Sequence, residues 1–184
     1  GRATRLADTL LDAEKRYRAT ARLGIRTDTG DAEGRAVARS DPGDMPADAL
    51  GRTLPDFVGR VRQVPPMYSA LKRDGEPLYR PARRGQTVAR AARPVQIERL
   101  QPLERCGSEL QLELLCSSGT YVRVLGEDIA RALGTCGRLS SLRRLYVTPF
   151  EHEPMVSLAQ LTALTEAGRP WPLLPPDRVV AHLP

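Results

Sequence analysis

Residues 116–123 read Cys-Ser-Ser-Gly-Thr-Tyr-Val-Arg and set a phenol, Tyr121, beside a guanidinium, Arg123, where an alternating apolar run gives out. An aromatic face holds a flat base by stacking, and a guanidinium holds a carboxylate or phosphate through a fork of N–H donors. The pair points to chemistry on RNA. Two other segments carry the same residue types, Lys15-Arg16-Tyr17-Arg18 and Leu142-Arg143-Arg144-Leu145. Each segment alone also has a plain structural reading. Tyr17 suits the edge of a core, Arg123 a solvated charge, and Leu142 a core position. Other chemistries are poorly supplied. His152 and His182 are the only histidines, and neither sits in a motif that suggests a zinc site or a Ser-His-Asp triad. Cys106, Cys116 and Cys136 lack Cys-x-x-Cys spacing and read as free thiols. Asp28, Asp31 and Glu33 are rich in oxygen but lack calcium-loop spacing, so they read as a turn.

Elements must hold these residues in place. From Lys15 to Leu23 the pattern has a period of two, with Tyr17, Ala19, Ala21 and Leu23 on one face and Arg16, Arg18, Thr20 and Arg22 on the other. That is a half-buried strand with a basic outer face. Leu6, Ala7, Leu10 and Leu11 predict a short helix over Ala3 to Ala13. Arg26 to Arg35 is a Gly/Asp loop between strands. A helix is expected near Ala47 to Phe57, with Asp48 in its first turn. The double proline at Pro65-Pro66 forces an extended path, and Asp74-Gly75 marks a tight turn. Leu78 to Arg84 is one or two helical turns. Val95 to Arg105 and Glu109 to Ser117 form an antiparallel pair turning at Gly107-Ser108, with Leu110, Leu112 and Leu114 inward and Gln111 and Glu113 outward. A helix follows over Val124 to Leu133, a strand over Leu142 to Val147, and a last helix over Leu158 to Ala167, capped by Ser157 and ended by Gly168. The order lacks regular β-α-β alternation, so an α+β fold on a mostly antiparallel sheet is expected.

The chain has 184 residues, enough for one independent core. Its net charge is +6 with a pI near 9.7, in the range that suits nucleic-acid binding. Lysine occurs only at Lys15 and Lys72, so the charge is almost all arginine, which coding bias alone also produces. No apolar run has membrane-spanning length and no leader-like segment opens the chain, so a cytoplasmic protein without a membrane partner is expected.

In their order, the segments resemble the tRNA pseudouridine synthase B (TruB) family. The similarity includes Gly-Arg-Ala-Thr-Arg-Leu, Asp-Ala-Glu-Lys-Arg-Tyr-Arg, Arg-Thr-Asp-Thr-Gly-Asp-Ala-Glu-Gly, Gln-Val-Pro-Pro-Met-Tyr-Ser-Ala-Leu-Lys, Cys-Ser-Ser-Gly-Thr-Tyr-Val-Arg and Leu-Arg-Arg-Leu. It implies a pseudouridine synthase-like catalytic domain that acts as a monomer on the T stem-loop of tRNA. The reaction detaches a uracil, turns it and rejoins it through carbon, with no metal or organic cofactor. By the same resemblance Tyr17 clamps the flipped uracil and is a candidate base for the C5 proton. Tyr121 and Leu142 are further uridine contacts, and Arg123 pairs with the catalytic aspartate. Arg16, Arg18, Arg22 and Lys72, with Arg83 and Arg84, either contact RNA phosphates or form a solvated basic surface.

The resemblance breaks at the nucleophile. The family's Gly-His-Thr-Gly-Thr-Leu-Asp-Pro type of segment has no counterpart in these residues and would belong before Gly1; the earlier Lys-Pro motif is missing too. Asp28, Asp31 and Asp128 do not match the catalytic position. No room is expected after the last helix for the small RNA-binding domain often appended to this family. The expected organisation is therefore a truncated catalytic domain at 1–168 and a proline-rich tail at 169–184, inactive alone. Arg123 is then expected to lack its carboxylate, so that Arg123→Met would stabilise the chain. The alternative is a basic RNA-binding or tRNA-chaperone module without chemistry.

Overall fold

The computed structural model describes residues 2–43, 45–46 and 48–180. The chain opens with 3₁₀ turns over Arg2–Leu10, tighter than the α-helix that the spacing predicts. Leu11 is exposed, so the apolar stripe does not extend that far. Lys15 reaches back to the carbonyls of Leu11 and Ala13, satisfying acceptors left at this end. Strand β1 is Lys15–Leu23, with the predicted bounds, followed by β2 Ile25–Thr27, the Gly/Asp loop and β3 Ala36–Arg39. Next come α1 Ala49–Thr53, a 3₁₀ turn Leu54–Phe57 entered through Pro55, and β4 Gly59–Gln63. The expected helix start at Ala47 lies outside the described residues.

Strands β5 Lys72–Arg73 and β6 Glu76–Pro77 form a hairpin. Its turn holds Asp74 and Gly75 at φ 51° and 81°, the left-handed pair that a two-residue hairpin requires. Helix α2 Tyr79–Arg83 follows, then β7 Arg93–Cys106, β8 Glu109–Cys116, α3 Val122–Ala132, β9 Gly137–Val147, α4 Leu158–Glu166 and a 3₁₀ turn Pro176–Val179. The end of the expected proline-rich tail lies outside the described residues. Helix α4 begins with a full capping box between Ser157 and Gln160.

The main sheet has the order β4-β7-β8-β1-β9, and every neighbouring pair is antiparallel. This is the α+β architecture expected from the sequence. Its inner face contributes Ala19, Ala21, Ile97, Leu100, Leu110, Leu112, Leu114 and Cys116 to one core, which Leu54 and the α3 residues Val122, Leu125 and Ile129 complete. Those three recur at helical spacing, so one stripe of α3 lies on the sheet.

Three boundaries or exposures differ from expectation. Helix α3 starts at Val122, so Arg123 lies in the helix's first turn rather than at a strand end. The strand stops at Cys116, and Gly119, at φ 77°, turns the backbone before the extended Tyr121 caps the helix. Strand β9 starts at Gly137 and runs through its arginines, because an edge strand tolerates charged side chains. Glu113 does lie on the outer face but is only 8% exposed, since Arg16 and Arg18 close over it.

Candidate functional site

The β1–β9 ladder sets Tyr17 opposite Arg144 and Ala19 opposite Leu142, without a register shift between them. Side chains two apart on a strand share a face, and directly paired residues project to the same side. Tyr17 and Leu142 are therefore diagonal neighbours on the face that carries the core. Tyr17 packs against that core, and the Arg144 guanidinium lies 5.7 Å from its ring centroid. Leu142, expected as core on the plain reading, is 47% exposed: β9 is the sheet edge and nothing in the described chain covers it there.

Tyr121 caps α3 and Arg123 lies in its first turn. Arg123 Nη1 donates to Thr29 O at 2.8 Å and to Asp31 Oδ2 at 2.8 Å, and Nη2 donates to Tyr68 O at 2.9 Å. The Gly/Asp loop, the Pro-Pro-Met-Tyr segment and α3 thus meet at one guanidinium. The loop is built to present Asp31. Thr29 Oγ1 and the Glu33 N–H both donate to Asp31 Oδ1, which leaves Oδ2 for Arg123. Thr27 Oγ1 donates to Asp31 O, and Leu139 N–H donates to Gly30 O, tying the loop to β9. A Cβ on Gly34 would lie 2.1 Å from Thr29 Oγ1, so the loop closes this tightly only with glycine there. The expectation that Arg123 stands unpaired is overturned: Asp31 supplies a carboxylate.

A cleft of about 700 Å³ opens beside this group, lined by Arg26, Pro65, Met67, Arg90, Arg123 and Glu127 among others. Burial pushes the Glu127 carboxyl up from its usual range, against a weaker pull from Arg26. The cleft therefore mixes an apolar wall with a positive rim. Among the described residues no cluster of His, Cys, Asp or Glu is placed to hold a metal ion, and no helix is long and apolar enough to cross a membrane.

The other predicted residues lie elsewhere. Arg16 and Arg18 project from the reverse face of the sheet and both bond Glu113, with Arg18 Nη2 3.1 Å from Oε2. The Arg16 hydrogen bond, helped by Arg18, holds the Glu113 carboxyl below its usual range. Arg22 is exposed toward the end of β1, opposite Glu109 and Arg138. Lys72 is exposed on the β5–β6 hairpin. The sequence reading missed Gln63, whose buried carboxamide bonds the backbone of Tyr121. The signal was its place immediately before an apolar, proline-fixed run, where a polar side chain needs a partner.

A family model described as the N-terminal domain of TruB family pseudouridylate synthases matches residues 1–122, more than half of the chain. The chain belongs to the TruB family. A second TruB model, the tRNA pseudouridylate synthase B C-terminal domain, matches residues 123–171. The boundary between the two falls inside α3, which packs on β1 and β9. A tRNA pseudouridine synthase B of Aromatoleum aromaticum is 50% identical over the whole chain, and one of Dechloromonas aromatica is 46% identical. The chain spans 59% and 61% of the length of those TruB relatives. A solved Cbf5-Nop10-Gar1 complex contains a similar chain, 27% identical, with a TM-score of 0.69, covering 98% of this chain and 47% of that one. A chain in an H/ACA RNP bound to a substrate RNA containing 2'-deoxyuridine shares the fold at a TM-score of 0.67, over 98% of this chain and 46% of that one, with 24% identity.

Proposed function

We propose that this chain binds the T stem-loop of tRNA as a monomer in the cytoplasm and receives a flipped uridine for isomerisation to pseudouridine. The observation that carries the reading is the state of Arg123. It commits three N–H donors to the surrounding loops, out of the five a guanidinium has. Two remain without a described acceptor, which is what a second carboxylate or a bound anion takes side-on. Names of the relatives, tRNA pseudouridine synthase B, support the same substrate class.

The chemistry is balanced without an oxidant or a cofactor. The bond from N1 of uracil to C1′ of the ribose breaks, the C5–C1′ bond forms, the C5 proton leaves and N1 gains one. The target base must first leave its stack. Tyr17, Tyr121 and Leu142 offer an aromatic and apolar clamp for it, and Tyr17 carries a phenol suited to take the C5 proton. Arg123 fixes an ionised carboxylate near the sugar. Residues 1–168 act together as the catalytic domain, with 169–184 as a tail.

The assay is tritium release from a T stem-loop RNA labelled at C5 of the target uridine, run beside a binding measurement. The 184-residue chain is expected to bind the RNA and release no tritium, because none of its aspartates lies in a Thr-Leu-Asp-Pro context. Release by the chain alone would overturn the need for that segment; absence of binding would overturn the RNA reading. The exposed cations Lys72 and Arg83 also suit a second reading, a tRNA-binding or chaperone module. Faster refolding of misfolded tRNA, with no isomerisation even after a Thr-Leu-Asp-Pro segment is supplied, would select it.

A further inference from the structure

Gln63 ends β4 and is 3% exposed. Its carboxamide spans both backbone groups of one residue. The Tyr121 N–H donates to Oε1 at 3.1 Å, and Nε2 donates to Tyr121 O at 3.4 Å. A primary amide laid along a peptide in this way imitates strand pairing. Tyr121 needs such support. It caps α3 with extended backbone, φ −93° and ψ 100°, and its side chain makes no capping bond. The loop before it turns at Gly119 and is tethered upstream at Ser117, where Gln96 exchanges two bonds with it. Gln63 is the tether downstream. Five residues on, the Tyr68 carbonyl takes Arg123. One segment therefore grips the first turn of α3 at two points, and its prolines, Pro65 and Pro66, stiffen the span between them.

We propose that Gln63 is a positioning residue that sets the backbone of Tyr121, and so aims the Tyr121 ring at the flipped uracil. This rests on the uridine-binding reading above. Gln63→Glu tests it with little change in shape. It keeps the oxygen that accepts from Tyr121 N–H, but turns the carboxylate's other oxygen against the Tyr121 carbonyl. Gln63→Leu removes both bonds.

The experiment measures affinity of the full 184-residue chain for two T stem-loop RNAs, one with uridine at the target position and one abasic there. The unaltered chain is expected to prefer the uridine RNA. Gln63→Glu should lower that preference about two- to tenfold, the range of one net hydrogen bond, while affinity for the abasic RNA stays the same. Tyr121→Ala should abolish the preference, and adding Gln63→Glu to it should change nothing more. A preference that survives Gln63→Glu, or a loss that is equal for both RNAs, overturns the proposal. No preference in the unaltered chain overturns the uridine reading itself and the proposal with it. Amide hydrogen exchange gives a readout independent of RNA. Exchange at Tyr121 should quicken in Gln63→Leu while Ile129, deep in α3, stays protected; unchanged exchange at Tyr121 overturns the tether.

Discussion

Three acceptors converge on Arg123: the Asp31 carboxylate and the carbonyls of Thr29 and Tyr68. With its side chain 25% exposed, the group is screened from water more than a surface pair, though less than a core one. Arg123→Met would strip a counter-charge from Asp31 and leave two carbonyls short of a donor. The expected cost is about 1–3 kcal/mol, read as a fall in thermal midpoint of about 2–4 °C per kcal/mol. This reverses the stabilisation that the sequence leads one to expect. Glu127, one helical turn further on, acts in the opposite sense. Burial raises its folded pKa above the ordinary 4.5, so stability is lost as pH rises from the unfolded value through the folded one. Glu127→Gln should therefore stabilise the chain at neutral pH, with no gain below about pH 4, as urea unfolding at the two pH values would show. Glu113 has the reverse linkage. Its folded pKa is lowered by Arg16, so its contribution is full above 4.5 and fades as pH falls through the folded value. Glu113→Gln should destabilise at neutral pH and converge on the parent in acid.

Helix α3 carries its first turn to the site while packed closely on β1 and β9. The approach rests on two glycines. A Cβ on Gly137 would lie 2.5 Å from Ala130 Cβ, and a Cβ on Gly126 would lie 2.8 Å from Leu139 Cδ2. The Ala130 atom is fixed to the helix backbone and can move only with it, whereas a leucine terminus can rotate. Gly137→Ala should therefore cost about 1–3 kcal/mol in urea unfolding. Gly126→Ala should cost less, because alanine recovers about 1 kcal/mol of helix propensity. Elements with a strong local signal were legible beforehand: β1 through its period of two, the β5–β6 turn through Asp74-Gly75, and α4 through Ser157 and Gly168. The start of α3 was not. Val122 is in line with Leu125 and Ile129 whereas Val124 lines the cleft, and whether the chain is already helical at Val122 depends on Gln63 holding Tyr121 extended just before it.

Across the whole molecule the charge of +6 is unevenly available. Arg16 and Arg18 are committed to Glu113 on the sheet's reverse face, while the unit formed by β5, β6 and α2 carries Lys72, Arg80 and Arg83 beside Arg73 and Arg84, which pair with Asp74 and Glu76, and continues into the cleft-lining Thr87 and Arg90. Each phosphate contact contributes close to one unit of slope to the dependence of log affinity on log salt. Lys72→Ala should lower the slope for T stem-loop RNA by about one. Arg16→Ala and Arg18→Ala should leave it unchanged, and a loss there equal to that of Lys72→Ala would return these arginines to the RNA surface. By itself the sequence determined the antiparallel α+β class, the strand faces, the turns and caps, and, through motifs in a fixed order, the family. Those signals act within a few residues, where backbone geometry and alternation are local. The tertiary structure alone decided which groups meet. Asp31 lies 92 residues from Arg123, Glu113 lies 97 from Arg16, and Gln63 lies 58 from Tyr121. Whether an arginine is spent, free or poised for a ligand depends on strand order and loop closure, which bring those distant residues within hydrogen-bond reach.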